Sequence, residues 1–374
     1  MSRYAHLTGW GMAVPDRVLT NHEIEQMVDT NDEWIIARTG IRERRIADKS
    51  DTTASLAAKA GLRALQGTDV KAREIDLIIV ATSSPEHIFP STASLVQDRI
   101  GATEAGAFDL SAACTGFIFA LNMAAQAIRS GSLNRALVIG SETLSRMVNW
   151  EDRGTAILFG DGAGAFLLEG RDWPGGVMSC VMRSDGSGGD LLSVPAGGSF
   201  MPTSLETLQK KLHLIQMDGR EVFRFATRVM ASATREVVEL AGMSLEDVDL
   251  VIPHQANKRI IEAAARGLKL PLDRFALNID RYGNTSTASI PIAFCEAFEQ
   301  GRTRAGDRLV LVGFGAGLTW GALTLQLTEP ERVVTPVERR RWWVFAVLAR
   351  LRSVLRRVGR RLESWIFRAR AKPE

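Results

Sequence analysis

The stretch DLIIVATSS, residues 76–84, is a short apolar run closed by small polar residues, which is the pattern of a buried strand. DLVIPHQ, residues 249–255, opens on the same Asp-Leu pair and the same apolar run. RALVIGSE at 135–142 and RLVLVGFG at 308–315 read as two more buried strands. Their residues Ala136 and Leu309 each stand 60 positions beyond Asp76 and Asp249. The chain therefore repeats itself. GAGAFLLEG at 162–170 and WGALTLQL at 320–327 continue each half as strands, while segments 114–130, 220–242 and 287–301 carry helical spacing. Strands alternating with helices make an α/β fold. Two similar halves bring strand ends and helix N-termini face to face, and a site is expected at their junction. The expected division is residues 1–175, residues 176–330 and a tail at 331–374.

The glycine-rich pieces GDGAGA (160–165) and GFGAGL (313–318) sit at matching places in the halves. GDGAGA, like GWGMAVP near the start, is not a dinucleotide fingerprint, since no G-x-G-x-x-G opens a helix with an acidic residue about 20 positions on. They read as tight turns.

At 374 residues, 45% hydrophobic and 24% charged, the composition is that of a soluble globular chain. The N-terminus lacks the apolar stretch of a signal peptide, and no segment approaches the roughly 18–20 apolar residues that span a bilayer. A cytoplasmic protein is expected. The net charge of +3 hides an asymmetry: residues 331–374 carry +9, and the remaining body carries −6.

Cys114 stands in DLSAACTGFIFALNMAAQAIRSG, residues 109–131, where small residues lead into an amphipathic helix. A cysteine at a helix start meets unpaired N–H groups and the positive end of the helix dipole, which favour thiolate. The alternative is a small packed hydrophobe. Cys180 and Cys295 have no such context and read as core, and three cysteines without C-x-x-C spacing argue against a zinc site. His254 in PHQAN (253–257) and Asn284 in GNTS (283–286) add two neutral hydrogen-bond donors. A nucleophile with two such donors suits thioester chemistry better than peptide hydrolysis.

These residues carry a resemblance. NDEWIIARTGIRERRIA (31–47), AACTGF (112–117), DRGTAILFGDGAGA (152–165), PHQAN and GNTS are similar, in order, to signatures of the β-ketoacyl-acyl-carrier-protein synthase III family of thiolase-like condensing enzymes. The similarity runs from about residue 6 to 328. It implies a duplicated five-layer α/β/α/β/α fold, usually a homodimer, with Cys114, His254 and Asn284 as catalytic residues. The activity implied is decarboxylating condensation of an acyl-CoA primer with malonyl-acyl carrier protein through an acyl-Cys114 intermediate. CoA thioesters enter as substrates, and no cofactor or metal is implied. Other readings of the same residues are a thiolase-like acyltransferase, a non-decarboxylating condensing enzyme of secondary metabolism, and a non-catalytic membrane-associated subunit.

The resemblance also assigns binding residues. Trp34, Arg38 and Arg153 match positions that hold the CoA nucleotide, and Gly219 and Asn257 match positions along the same ligand. Lys258 and Arg259 match a basic site for the acidic carrier protein. Ala316 would supply an oxyanion-hole N–H, Phe314 would shield the nucleophile, and Phe89 and Leu318 would line the acyl pocket, Phe89 across a dimer interface. Gly-Ala-Gly-Leu at 315–318 and Arg220 depart from some members, which leaves the primer chain open.

The tail departs most, since the resemblance ends near residue 328. Residues 339–372 place Val347, Leu351, Val354, Leu355, Val358 and Leu362 in steps of three and four, with Arg352, Arg356, Arg360 and Arg361 on other faces and Trp342, Trp343 and Trp365 at the ends. A basic amphipathic helix with Trp suits an anionic membrane surface, here through residues 339–370, and would place the protein peripherally at the inner face of the membrane. Docking on the acidic body, or on an acidic carrier protein or partner helix, suits it too. The apolar row is more than a nucleic-acid arm needs, and no nucleic acid is expected.

Overall fold

The computed structural model describes residues 2–328, 349 and 351–363. Nine strands build two sheets. The first contains β1 (Tyr4–Ala13), β2 (Leu77–Ala81), β3 (Gly106–Leu110), β4 (Arg135–Thr143) and β5 (Asp161–Arg171). The second contains β6 (Gly176–Ser184), β7 (Leu250–Pro253), β8 (Arg308–Gly315) and β9 (Thr319–Gln326). The order is β1-β5-β4-β2-β3 in the first and β6-β9-β8-β7 in the second. The pairs β4–β2 in the first and β8–β7 in the second are parallel, and the rest of the shared order is antiparallel. The second sheet thus repeats the first without its edge strand β3.

The repeat extends to single atoms. Leu77 pairs with Ala136, and Leu250 pairs with Leu309. The Asp76 carboxylate accepts the backbone N–H of Arg135 at 2.8 Å, and the Asp249 carboxylate accepts that of Arg308 at 2.8 Å. The shared Asp-Leu opening is therefore a register lock used twice.

Helices α1 (Asp32–Thr39), α2 (Thr53–Gln66), α3 (Thr92–Ile100), α4 (Gly116–Arg129), α5 (Gly219–Leu240), α6 (Lys258–Leu268) and α7 (Ser289–Glu299) surround these sheets. Three apolar clusters define five layers. In the first sheet Ile78 and Val80 face α2 and α3, whereas Ile79 and Ala81 face the middle of the molecule. In the second, Val251 and Val310 face α5 and α6, and Ile252 and Leu311 face the middle. Between the sheets lie α4 and α7, whose Phe117, Leu121, Phe294 and Ala293 join both inner faces in one core. Strands covered on both faces must be apolar at every position, which is why these runs showed no alternation.

The glycines of GDGAGA are not tight turns. Gly162 and Gly164 lie within β5, and a Cβ on Gly164 would stand 2.6 Å from Pro291 of α7. Here glycine lets a central helix lie directly on the sheet. Gly140 of β4 does the same for the turn before α7: a Cβ there would collide with the Thr287 carbonyl oxygen. Gly317 alone of the second piece matches the turn reading, with φ +70°.

An eighth helix, α8, runs over 351–363. The Ser353 hydroxyl and Arg357 guanidinium donate to Asp98 of α3 at 2.5 and 3.1 Å. Burial opposes ionisation of Asp98, but these two donors hold its carboxyl below its ordinary value. Leu351, Val354, Leu355, Val358 and Leu362 remain exposed, Leu355 to 71%. Trp342, Trp343 and Trp365, and the rest of 339–348, lie outside the described residues.

Gly140→Ala is expected to lower unfolding free energy by about 1–3 kcal/mol, the range for overpacking a close-packed core. Gly186→Ala, with nothing within 4 Å of its Cβ, should be near neutral. Urea denaturation of both variants checks the contrast.

Candidate active site

Each central helix is preceded by the same short construction. Ahead of α4 a 3-10 turn spans Ala113–Thr115, and ahead of α7 another spans Ser286–Ala288. Each turn opens on a residue with φ +48°, Ala113 or Ser286. Non-glycine residues held in this region typically cost about 1–3 kcal/mol and gather at functional sites. Cys114 is second in the first turn and Thr287 is second in the other. The duplicated fold thus offers two equivalent positions, and only one carries a thiol.

Cys114 is 7% exposed and lies before the helix rather than in its first turn. The expected helix-stabilised thiolate is corrected by its burial. Loss of solvent pushes the thiol up to about 12; the Ser286 hydroxyl works the other way, and the charge of Glu142 adds to the rise. Helix-end stabilisation is commonly about 0.3–1 kcal/mol and does not offset this desolvation. The free chain holds a neutral thiol.

Ser286 joins the three candidate residues. Its hydroxyl acts on the Cys114 thiol and on the Glu142 carboxyl, lowering both against the effect of burial. Its backbone N–H donates to Asn284 Oδ1 at 2.8 Å. Its carbonyl accepts the Ser289 hydroxyl at 2.8 Å, and Ser289 Oγ lies 2.6 Å from His254 Nδ1. The structure therefore brings Cys114, His254 and Asn284 to one junction. Asn284 is pinned on its backbone as well, bonded to Leu158 and Gly160 at 2.8 and 3.0 Å. With Oδ1 engaged, its Nδ2 is the end with no partner among the described residues, so the side chain presents a donor. His254 follows β7 and is buried; loss of solvent alone lowers it to about 3, so the imidazole is neutral. Its Nε2 has no hydrogen-bond partner among the described residues.

β8 closes the site from the other side. A Cβ on Gly315 would stand 2.7 Å from the Cys114 backbone nitrogen, so only glycine lets the strand end and the Cys114 turn meet. Ala316 follows directly. Phe314 is buried, with its ring 5.4 Å from that of His254. Leu318 is half-buried at φ +44°. Phe89 and Ile88 are 84% and 86% exposed, so Phe89 does not line a pocket within this chain.

A second cluster lies around α1. The guanidinium carbons of Arg38 and Arg153 stand 5.6 and 4.9 Å from the Trp34 ring centroid, within cation–π range. Asn257 caps α6, accepting from Arg259 N–H at 2.9 Å and donating to the Arg38 carbonyl at 3.0 Å. Both ends of its amide are engaged, so it braces this cluster rather than offering a free group. Gly40 packs on Lys258, Arg259 lies 5.3 Å over the Phe223 ring, and Gly219 begins α5 in the open.

Sequence reasoning missed Glu142, Ser286 and Ser289. Glu142 is fully buried and accepts from Ser83 N–H, Ser84 N–H, Ser84 Oγ at 2.6 Å and Thr287 Oγ1 at 3.0 Å; burial raises its carboxyl and these donors oppose the rise. The run TSTAS at 285–289 was the available signal for the serines, since spacing of three at a helix entry lets one hydroxyl reach back to the other's carbonyl. Among the described residues no cluster of three His, Cys, Asp or Glu could hold a metal ion.

The doubly layered sheets, the central helices and the Cys-His-Asn junction define a thiolase-like condensing enzyme. Two family models match, the 3-oxoacyl-[acyl-carrier-protein] synthase III model at residues 108–186 and its C-terminal model at 238–327. A β-ketoacyl-[acyl-carrier-protein] synthase III of Roseiflexus sp. (strain RS-1) is 49% identical over 328 residues, 88% of this chain and 100% of that protein. The crystal structure of 3-oxoacyl-[acyl-carrier-protein] synthase III from Aquifex aeolicus VF5 superposes with TM-score 0.80 at 45% identity, covering 86% of this chain and 99% of that one. A priming β-ketosynthase from the R1128 polyketide biosynthetic pathway gives TM-score 0.82 at 35% identity, covering 88% and 98%. The chain belongs to the β-ketoacyl-acyl-carrier-protein synthase III family, and it is an acyltransferase of the condensing type.

Below its pKa a thiol gains about tenfold in thiolate per pH unit. Alkylation of Cys114 in the free enzyme should therefore climb steadily to at least pH 10, with no plateau near pH 7. A plateau near neutrality, read by mass spectrometry of the Cys114 peptide, would refute the neutral-thiol assignment.

Proposed function

We propose that this enzyme condenses an acyl-CoA primer with malonyl-acyl carrier protein, releasing CO₂ and CoA and starting an acyl chain. The observation that carries the proposal is the junction at Ser286, where a buried thiol, an amide donor and a neutral imidazole converge. In the first half-reaction Cys114 takes the acyl group. In the second, loss of CO₂ from the malonyl thioester leaves an enolate, whose oxygen needs donors and no facing negative charge. Asn284 has its donor end free for this, and His254 serves the same oxygen once Nε2 carries a proton. The acyl oxyanion is assigned to the backbone N–H groups of Cys114 and Ala316. The Trp34–Arg38–Arg153 cluster suits a nucleotide, whose base stacks on planar groups and whose phosphates pair with guanidinium. Lys258 and Arg259 suit the acidic carrier protein, and Gly219 and Leu318 the thioester arm and acyl chain. A second copy at exposed Phe89 and the β3 edge would complete the acyl pocket. No step calls for a cofactor.

Incubation with a panel of acyl-CoAs, followed by intact mass analysis, should add one acyl mass at Cys114, and Cys114→Ala should add none. Asn284→Asp should still acylate but lose about 10²-fold or more in decarboxylation, because a carboxylate repels the enolate. Acyl transfer without any CO₂ release would instead favour the non-decarboxylating reading.

A second reading concerns the tail. The small and polar side of α8 lies against Asp98, so Leu351, Val354, Leu355, Val358 and Leu362 face outward between arginines. This arrangement suits an anionic lipid surface, with the apolar row in the interface and arginines at the headgroups. Full-length protein should sediment with vesicles containing phosphatidylglycerol, less so in high salt, and a truncation after residue 330 should not. Equal sedimentation of the two proteins would remove the membrane role.

A further inference from the structure

His254 and Ser289 make a contact whose hydrogens can be counted. Ser289 Oγ lies 2.8 Å from the Ser286 carbonyl oxygen and 2.6 Å from His254 Nδ1. A hydroxyl has one hydrogen, and a carbonyl can only accept. If that hydrogen points to the carbonyl, Nδ1 must carry one and donate it to Ser289 Oγ. If it pointed to Nδ1 instead, two oxygens would face each other at 2.8 Å with no hydrogen between them. A neutral imidazole has a single N–H, so Nε2 is then a bare lone pair, and it is the buried ring nitrogen without a partner.

We infer that Ser289 is a positioning residue that fixes His254 as the Nδ1–H tautomer, so that Nε2 enters each half-reaction as a proton acceptor rather than as a ready donor. The inference rests on the condensing reading above for its chemistry. Cys114 is a neutral thiol and needs an acceptor for its proton. That proton passes to Nε2 while the sulfur bonds the acyl carbon. The carbon–sulfur bond to CoA then breaks, and the departing CoA sulfur takes the proton from Nε2. In the second half-reaction Nε2 takes up one proton from the bulk solvent as the malonyl carboxylate arrives, and the resulting N–H donates to the enolate oxygen. The C–CO₂ bond breaks, the enolate carbon bonds the acyl carbon, and the Cys114 carbon–sulfur bond breaks. The released thiolate takes the proton from Nε2. One proton is consumed per cycle, as the overall condensation of a malonyl carboxylate requires, and Nδ1–H stays on Ser289 throughout. Asn284, whose Oδ1 is held by Ser286 N–H, is the donor already present in the free enzyme.

The test is nitrogen NMR on full-length protein labelled with ¹⁵N-histidine, with His254 assigned by the signals missing from His254→Asn. The expected result is a protonated Nδ1 and an unprotonated Nε2. Ser289→Ala should shift His254 toward the Nε2–H form and slow acyl-enzyme formation by about 10²-fold or more, the lower range for general acid–base catalysis. Malonyl decarboxylation by pre-acylated Ser289→Ala should be retained, and Ser289→Thr should restore both the tautomer and acylation. A wild-type Nε2–H form, or an unchanged tautomer in Ser289→Ala, overturns the inference. The resonance is read without turnover, so its failure leaves the condensing activity standing. Loss of all acylation in wild-type protein would sink the activity without touching the tautomer.

Discussion

The structure depends on two helices packed between its sheets, α7 buried over nearly its whole length and α4 buried except for a stripe at Met123, Gln126 and Arg129. α4 and α7 lie between the sheets, and their side chains pack on the inner faces of both. Their sheet-facing sides are apolar, so the polar groups of the candidate site gather at their ends. They do so at the N-terminal ends, where each helix is preceded by a 3-10 turn with a left-handed first residue. The glycines of β4, β5 and β8 follow from the same constraint. They sit where the turns and helices press on the sheets too closely for a side chain.

Duplication supplies two such turns, and the halves have diverged in what they carry. The first holds Cys114. The second holds Thr287 at the equivalent place, with Asn284, Ser286 and Ser289 around it. Ser286 meets Asn284 through its N–H and Ser289 through its carbonyl, and its hydroxyl acts on Cys114, so one residue with a left-handed backbone links the thiol of one half to the polar groups of the other. Behind them Glu142 is held by donors from the segment that follows β2 and from the Thr287 turn. The seam between the halves is therefore a continuous polar network inside an apolar molecule. Networks of this kind fix geometry because each unmet partner would be costly in low dielectric.

The body and the tail obey different rules. The family models end at residue 327, and α8 lies beyond them, tied to the body through Asp98. Its contacts use its small and polar side. A helix whose function was only to cover the body would turn its leucines inward, and this one turns them out.

Most of the fold was legible in the sequence. The strands at 76–84, 135–142, 249–255 and 308–315 announce themselves by apolar runs, and the repeated Asp-Leu opening sets their equivalence. Strands β1, β3 and β6 and helices α2, α3 and α6 were not singled out, because their composition carries no motif and their burial comes from neighbours. Cys114, His254 and Asn284 were legible as residue types in recognisable segments. Their protonation was not. A cysteine before a helix reads as a thiolate, but the closed seam removes the water that would solvate the charge, and the thiol stays neutral. The sequence by itself determined the duplication, the candidate nucleophile and the amphipathic tail, since each is written in spacing or residue type. Only tertiary structure decided the state of the thiol, the hydrogen on His254 and the roles of Ser286, Ser289 and Glu142. Those depend on burial and on which hydroxyl faces which acceptor, and both are set by contacts between residues far apart in the chain.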